Sequence, residues 1–388
     1  MKKKILFVTK ALWIGGIETA LINLLNNLDY NKYEVSLLVV KAELDVKDRI
    51  CPQCKILVVD RDVMITFNKP YKYKRLFHLT EETEHPSKLH QALMWTVPII
   101  KCVENGLYID YIKSLLKNQY YDTVVIYSDI VAELAVRAIN ADQYLMFYHH
   151  GAMRHVYHDR IAYKKCKKII AVSQNLAQRL QAFVPQYANK IIVIHNLTDV
   201  SEIIRKGKEV CDDTFDPNRY NIVSVGRIAY EKGMDIAVAA CNELVNRGFK
   251  NIKWWIIGGG PATQEIMEQI CALNIENYIS LVGMKKNPYP YIRQADLYVQ
   301  PSRIEAFGLT IKEAMVFGKK IIATNTDGAR EILADEKLLC DSDEHCLADA
   351  IEMQIQQDPN TNAQNGDHIR RKLEQENRQI IECLEKLL

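Results

Sequence analysis

Two glutamates and two basic residues lie near the ends of short strand-like runs, and their types suit a phosphorylated sugar. Glu305 and Glu313 stand eight positions apart in "SRIEAFGLTIKEAM" (302–315). In "SVGRIAYEKG", Arg227 directly follows a strand-like run and Lys232 comes five residues later. Arginine can bind two phosphate oxygens and lysine acts as a point charge, so the pair suits a diphosphate. A solvated loop is the alternative.

The stretch around Glu305 also predicts a helix N-terminus that could hold an anion. "GLTIKEAMVFG" begins a helix near Gly308, and the helix dipole favours negative charge at that end. The backbone amides expected to point into a cleft are those of Phe307, Gly308, Leu309 and Thr310. Glu313 could accept hydrogen bonds from a ribose diol, and Glu305 from a hexose. Alternatively, Glu305 caps the helix and Glu313 favours its N-terminal end.

Glycines follow two other predicted strands. Gly15 and Gly16 lie between the first strand and the first helix, and "IIGGGP" (256–261), which includes Gly259, ends another strand. Glycine allows a ligand to approach the backbone closely, or it simply permits a tight turn. Neither segment has the G-x-G-x-x-G spacing of a dinucleotide site.

These residues need strands whose carboxyl ends meet at a cleft. "KILFVT" is a continuous apolar run, as in a strand buried on both faces, and "IETALINLLNNL" has helical periodicity. The same alternation recurs to residue 198 and again from residue 219. We therefore predict an α/β fold with two Rossmann-like domains, at residues 1–198 and 219–357. Residues 199–218 would form the linker, and 358–388 a tail and helix, possibly packing back on the first domain.

The bulk composition is that of a globular protein. A chain of 388 residues exceeds the size of one hydrophobic core, and a net charge of +2 gives no general attraction to nucleic acid. Cys51 and Cys54 form one CxxC pair without a second pair, so we interpret the ten cysteines as structural thiols in a reducing compartment. The apolar run at the N-terminus is too short for the core of a signal peptide. We therefore predict a cytoplasmic protein.

Residues 61–103 do not follow the alternation. The segment "FNKPYKYKRLF" mixes basic and aromatic residues. It is either a variable surface excursion or, at residues 67–75, a peripheral contact with acceptor or anionic lipid.

Taken together, the motifs resemble the retaining glycosyltransferases of family 4, which have the GT-B fold of two domains facing across a cleft. "EAFGLTIKE" looks like the family's E-x7-E signature, while "IGGIE", "SVGR" with the lysine of "EKG", "IIGGGP" and "VGMKKN" match further motifs in the right order. The resemblance extends from Ile5 to about Leu333. Ala306 departs from the family, which commonly has glycine there.

The resemblance implies roles for individual residues. Arg227 and Lys232 would hold the donor diphosphate, Glu313 the ribose, and Glu305 with the amides that follow it the donor sugar. The base pocket would be lined by Gly283, Met284 and Lys285, with Gly259 also at the donor site, and Gly15 and Gly16 would lie against phosphate and acceptor. The family's cleft histidine matches His150 best, with His149 as the alternative.

The resemblance therefore implies a metal-independent, retaining hexosyltransferase that uses a nucleoside-diphosphate sugar, with a UDP-sugar as the first expectation. The product would be a cell-surface polysaccharide or glycoconjugate, with a saccharide or lipid-linked acceptor. We expect no cofactor beyond this co-substrate and no metal, because no carboxylate or histidine cluster has metal-ligand spacing. The alternatives are an epimerase or phosphorylase of the same fold, a nucleotide-sugar binding subunit without activity, and a dinucleotide-dependent oxidoreductase.

Overall fold

The computed structural model describes residues 2–59, 106–149, 160–211, 213, 215–333, 335–357 and 366–388. Residues 67–75, where we predict a membrane or acceptor contact, lie outside these described residues, as does His150. The described residues form two parallel sheets with helices between the strands, which confirms the predicted α/β class. Within these ranges, no helix has the length and apolar character needed to span a bilayer.

The first sheet has seven parallel strands in the order β3-β2-β1-β4-β5-β6-β7. They are β1 Lys3–Thr9, β2 Tyr33–Val39, β3 Lys55–Val58, β4 Tyr120–Ile126, β5 Asn140–Tyr148, β6 Lys168–Ala171 and β7 Ile191–Val193. Phe7 of β1 pairs with Leu37 of β2 on one side and with Val125 of β4 on the other. All three side chains are fully buried, as expected of central parallel strands covered on both faces.

Helices cover this sheet. They are α1 Gly16–Asn26, α2 at 106–115, α3 Ala132–Ala138, α4 Arg160–Lys165 and α5 Gln174–Phe183. The apolar stripe predicted for α1 packs into the core through Leu21, Leu24 and Leu25. Helix α5 begins where the hydroxyl of Ser173 accepts a hydrogen bond from the amide of Leu176, a standard N-cap.

The second sheet has six parallel strands in the order β10-β9-β8-β11-β12-β13. They are β8 Tyr220–Val225, β9 Ile252–Ile257, β10 Ile279–Gly283, β11 Leu297–Gln300, β12 Lys320–Thr324 and β13 Leu339–Cys340. The sequence predicts the first five but not β13, because two residues are too few to show a periodic pattern. The helices here are α6 Val200–Lys206, α7 Met234–Asn246, α8 Thr263–Leu273, α9 Tyr289–Gln294, α10 Leu309–Val316, α11 Asp327–Ile332 and α12 Glu344–Gln356.

Two segments connect the halves. Helix α6 lies inside the predicted linker 199–218 and is capped by Asp199, whose carboxylate accepts from the amide of Glu202 at 3.0 Å. Helix α13, Gly366–Glu385, packs its first turns with the core beside the second sheet and its last turns with the core of the first sheet. The domain boundaries at 198 and 219 stay a prediction.

Candidate active site

Lys232 and Glu305, two of the four side chains singled out in the sequence, form an ion pair. Lys232 ends a short 3-10 turn, Tyr230–Lys232, and its ammonium nitrogen lies 2.6 Å from a carboxylate oxygen of Glu305. The Lys232 side chain is 26% exposed and that of Glu305 12%, so the pair is partly shielded from water. A cation held in this way can exchange part of its contact for an incoming phosphate.

The loops that carry this pair are joined by backbone and side-chain contacts. The amides of Arg303 and Ile304 both donate to the carbonyl of Glu231, at 2.9 and 3.1 Å. The guanidinium of Arg303 binds the carboxylate of Asp235 through two hydrogen bonds of 2.7 and 2.6 Å, and it stacks on the ring of Tyr230. Bidentate contacts of this kind fix orientation as well as distance. The sequence reading missed this clamp, since Arg303 and Asp235 are far apart along the chain.

Arg227 is exposed, and its nearest carboxylate partner is Glu231 rather than Glu305 among the ion pairs of the described residues. It follows Gly226 at the end of β8, and its side chain is 65% exposed. Its guanidinium lies 3.9 Å from the carboxylate of Glu231. An exposed arginine on the same loop as Lys232 has room to reorient toward an anion.

The turn after Glu305 leads into α10 without a side-chain cap. Gly308 is the N-cap residue, with φ at +90°, and no side chain bonds to the first amides of the helix. Glu305 therefore does not cap the helix, which was the alternative reading of its position. Thr310 instead donates its hydroxyl to Gln300 at 2.9 Å, while Phe307 and Leu309 are buried with the core residues of the first sheet.

Glu313 is nearly enclosed. Its side chain lies in α10 with 5% exposure, and the hydroxyl of Tyr289 donates to its carboxylate at 3.1 Å. Burial raises the pKa of Glu313 to about 7, although the bond from Tyr289 opposes that rise. A carboxyl that titrates near neutrality can either accept or donate a hydrogen bond at an adjoining diol.

The predicted base-binding residues, Gly283, Met284 and Lys285, lie at the end of β10, next to the glycine turn that follows β9. The amide of Gly258 donates to the carbonyl of Gly283 at 2.9 Å, which ties the two turns together. Met284 is 57% exposed, and its methyl group lies 3.5 Å from the position a Cβ would take on Gly259. Lys285 approaches the carboxylate of Asp213 at 3.8 Å. The glycine turn and Met284 thus share one exposed surface.

In the first half, the glycine turn lies beside a second partly enclosed carboxyl. Gly15 is the N-cap of α1 in an extended conformation, and Gly16 is the first residue of the helix. Burial raises the pKa of Glu18, in the first turn, to about 7, while its own backbone amide and Lys10 oppose that rise. The ring of Tyr127 is fully buried in the same half, where burial raises the pKa of its hydroxyl and the charge of Glu18 adds to that rise.

Three histidine positions bear on the site. The preferred cleft histidine, His150, lies outside the described residues, so its role stays a prediction. His149 is buried, and its ring stacks on that of Phe147 with centroids 5.8 Å apart. The sequence reading missed His195, which binds Glu331 at 2.7 Å and packs on the ring of Phe307. Its signal was present, since "KIIVIHN" places His195 directly after a strand.

The geometry provides a cation, a buried acid and uncapped amides around one set of strand ends. Lys232 supplies positive charge, Glu305 and Glu313 supply carboxyl groups, and the start of α10 supplies backbone donors. In parallel α/β sheets, ligands bind outside the carboxyl ends of the strands. Such a set is suited to a phosphorylated ligand that also carries hydroxyl groups.

The chain resembles known glycosyltransferases in part of its sequence and in its fold. Residues 212–372 match the family model of the glycosyl transferases group 1. A 2-deoxystreptamine N-acetyl-D-glucosaminyltransferase of Niallia circulans is 33% identical over 113 residues, 29% of this chain and 29% of that protein. The N-acetylgalactosamine-N,N'-diacetylbacillosaminyl-diphospho-undecaprenol 4-alpha-N-acetylgalactosaminyltransferase of Campylobacter jejuni is 26% identical over 179 residues, 46% of this chain and 47% of that protein.

The matched segments span less than half the length of these two relatives. Among solved structures, Anabaena HepE in complex with UDP and glucose superposes with a TM-score of 0.69 at 19% identity, covering 99% of this chain and 100% of that one. At that identity the superposition shows the fold. The family match therefore covers residues 212–372, and the chain as a whole has the GT-B fold.

Proposed function

We propose that this protein is a retaining glycosyltransferase that moves a hexose from a nucleoside-diphosphate sugar to an acceptor hydroxyl. The observation that carries the proposal is the Lys232–Glu305 pair at the uncapped start of α10, within the segment that matches the family. UDP-sugars are the first donors to test, because UDP is bound in the solved structure of Anabaena HepE. The acceptor class we propose is a saccharide or a lipid-linked glycan.

In the proposed reaction, the bond between the anomeric carbon and the diphosphate oxygen breaks while the acceptor oxygen bonds to that carbon from the same face. The acceptor proton passes to the departing diphosphate. Lys232 and Arg227 stabilise the negative charge that develops on the leaving group, so a metal is not needed for that role. Glu305 orients the sugar, Glu313 binds the ribose hydroxyls, and Gly15 and Gly16 leave space for phosphate and acceptor.

The test is transfer by purified Lys232→Ala and Arg227→Ala variants. Removing one preorganised donor to a developing anion costs on the order of 10²- to 10³-fold in rate, and we expect that loss in both variants. Lys337 and Arg371 are exposed, so Lys337→Ala and Arg371→Ala serve as matched controls that should keep normal turnover. Transfer should also persist with a chelator present.

Near-normal turnover in both site variants would contradict the proposal. Product analysis separates the alternatives, since an epimerase needs no acceptor and a phosphorylase needs phosphate in place of a nucleotide donor. Donor binding without transfer or hydrolysis would instead identify a binding subunit. The contact of residues 67–75 with acceptor or membrane remains a prediction, to be tested by sedimentation with anionic and neutral vesicles.

A further inference from the structure

Residues from both halves of the chain meet at Glu331. Ser173 and the start of α5 follow β6, His195 follows β7, and Glu331 lies in α11 after β12. These strands belong to different sheets, yet the carboxylate of Glu331 contacts both first-half segments. We call Ser173, His195 and Glu331 the latch.

The carboxylate of Glu331 accepts hydrogen bonds from the N-terminus of α5, a helix of the first half of the chain. The amide of Gln174 donates to both carboxylate oxygens at 2.8 and 2.7 Å, and the amide of Asn175 lies at 3.4 Å. The hydroxyl of Ser173 accepts from the amide of Leu176, and Glu331 binds the two preceding amides, which this cap does not reach.

The carboxylate of Glu331 also binds His195, with Nε2 at 2.7 Å, and the Glu331 side chain is 13% exposed. Burial alone would raise the pKa of Glu331, but the bonds from His195 and Gln174 outweigh it and hold the pKa below its usual range. The carboxylate is therefore ionised and has several hydrogen-bonding partners. Charge-assisted bonds of this kind are about twice as strong as neutral ones.

Two residues of the latch contact the loop that carries Glu305. The hydroxyl of Ser173 donates to the carbonyl of Ala306 at 2.7 Å, and the ring of His195 packs against that of Phe307 with centroids 5.5 Å apart. On the side of α11, the amide of Gly328 donates to the carbonyl of Glu305 at 3.0 Å. Residues 305–307 are thus held by one half of the chain and by the helix that Glu331 belongs to.

We propose that Glu331 is a positioning residue that, through Ser173 and His195, fixes residues 305–307 for the donor sugar. The role rests on the proposed function, because the benefit of a fixed loop is the correct placement of Glu305 and of the amides that follow it. Glu331 itself does not touch the reacting atoms. A misplacement of about 1 Å in such a loop can lower turnover about 100-fold.

The first measurement is amide hydrogen exchange over residues 303–311 in the full chain. Glu331→Gln keeps the shape of the side chain but removes its charge, and it should speed exchange in this segment about tenfold or more. Glu352→Gln is the matched control, since Glu352 binds Arg247 at 2.8 Å in a surface network. Exchange that is the same in Glu331→Gln as in the wild type would overturn the proposal, whether or not the protein transfers sugar.

The second measurement is steady-state transfer from a UDP-sugar. Glu331→Gln, and separately Ser173→Ala, should lower kcat about 10- to 100-fold while the KM for the donor and the stoichiometry of UDP binding stay near wild type. In a double-mutant cycle the two losses should not add, because both act on the same loop. Unchanged kcat with a lowered Tm would overturn the proposal and leave a structural role. Absence of transfer in the wild type would contradict the proposed function alone.

Discussion

Glycines follow strands in both halves of the chain, and what surrounds them differs. In the second half, Gly233 and Gly258 are packed against backbone. A Cβ on Gly233, whose φ is +62°, would lie 2.0 Å from the carbonyl oxygen of Pro301, and a Cβ on Gly258 would lie 1.8 Å from that of Gly226. No side chain fits there without moving the chain, so these glycines are needed for the loops to approach one another.

In the first half the glycine pair has open space. A Cβ on Gly16 would meet nothing within 4 Å, and one on Gly15 would meet only the flexible carboxylate of Glu18. Packing therefore does not explain this pair. Close chain packing thus accounts for Gly233 and Gly258, whereas the space at Gly15 and Gly16 is consistent with a ligand that approaches the backbone.

The largest expected effect on stability tests the close packing at Gly233. Gly233→Ala should lower the free energy of unfolding by about 3 kcal/mol, because the new methyl group collides with the carbonyl of Pro301. Gly248 also has positive φ, at +101°, but nothing lies within 4 Å of its Cβ position. Gly248→Ala therefore isolates the cost of the collision, and urea unfolding of both variants measures it. Equal losses would mean that backbone conformation alone explains Gly233.

Each half also has a carboxyl that titrates near neutrality, and Glu313 is the more enclosed. Its pKa is about 7 in the folded chain against 4.5 as the reference, so the folded state binds more protons and stability falls as pH rises from 4.5 to 7. Glu313→Gln removes that penalty and should raise the free energy of unfolding at pH 8 by at most about 3 kcal/mol. At pH 4.5 the two proteins should be alike.

Unfolding of Glu313→Gln at both pH values, with UDP affinity measured in parallel, tests this point. The affinity of Glu313→Gln for UDP should be lower than that of the wild type, because we propose that Glu313 binds the ribose. Glu18→Gln should show the same pH dependence with a gain of similar size, since burial raises the pKa of Glu18 to about 7 as well. A gain that is independent of pH would show that ionisation is not its cause.

The smallest change in stability is expected at Gly16. Gly16→Ala should alter the free energy of unfolding by less than about 1 kcal/mol, and in the stabilising direction, because alanine restricts the unfolded chain. Transfer should nevertheless fall about tenfold, since the methyl group enters space that a ligand would use. Thermal unfolding and kcat/KM measured on one preparation separate the two effects. Normal transfer would remove Gly16 from the proposed site.

The sequence predicted most strands and the residues of one ion pair, but not the contacts that join distant segments. Continuous apolar runs identify buried strands, so β1 to β12 follow from pattern, while the two-residue β13 does not. Lys232 and Glu305 were singled out separately, because each follows a strand. Their direct contact is not readable from the sequence, since 73 positions separate them.

The clamp of Arg303 on Asp235 and the latch at Glu331 were missed for the same reason. Their partners lie 68 and 136 positions apart, and neither pair has a local pattern. A charged residue after a strand is a common event, and only the folded chain shows which of these residues meet. The sequence thus identified charged residues at strand ends but did not show which residues they contact.

Helix α13 has a consequence for how the chain folds. Ile369 and Leu373 belong to a core of the second half, Ile380 and Leu384 to the core of the first, and between them Glu376 binds Lys312 at 2.6 Å. A single helix therefore contributes to two hydrophobic cores, one in each half of the chain. Because Leu373 and Leu384 are both buried, removing this helix would expose apolar surface in both cores at once.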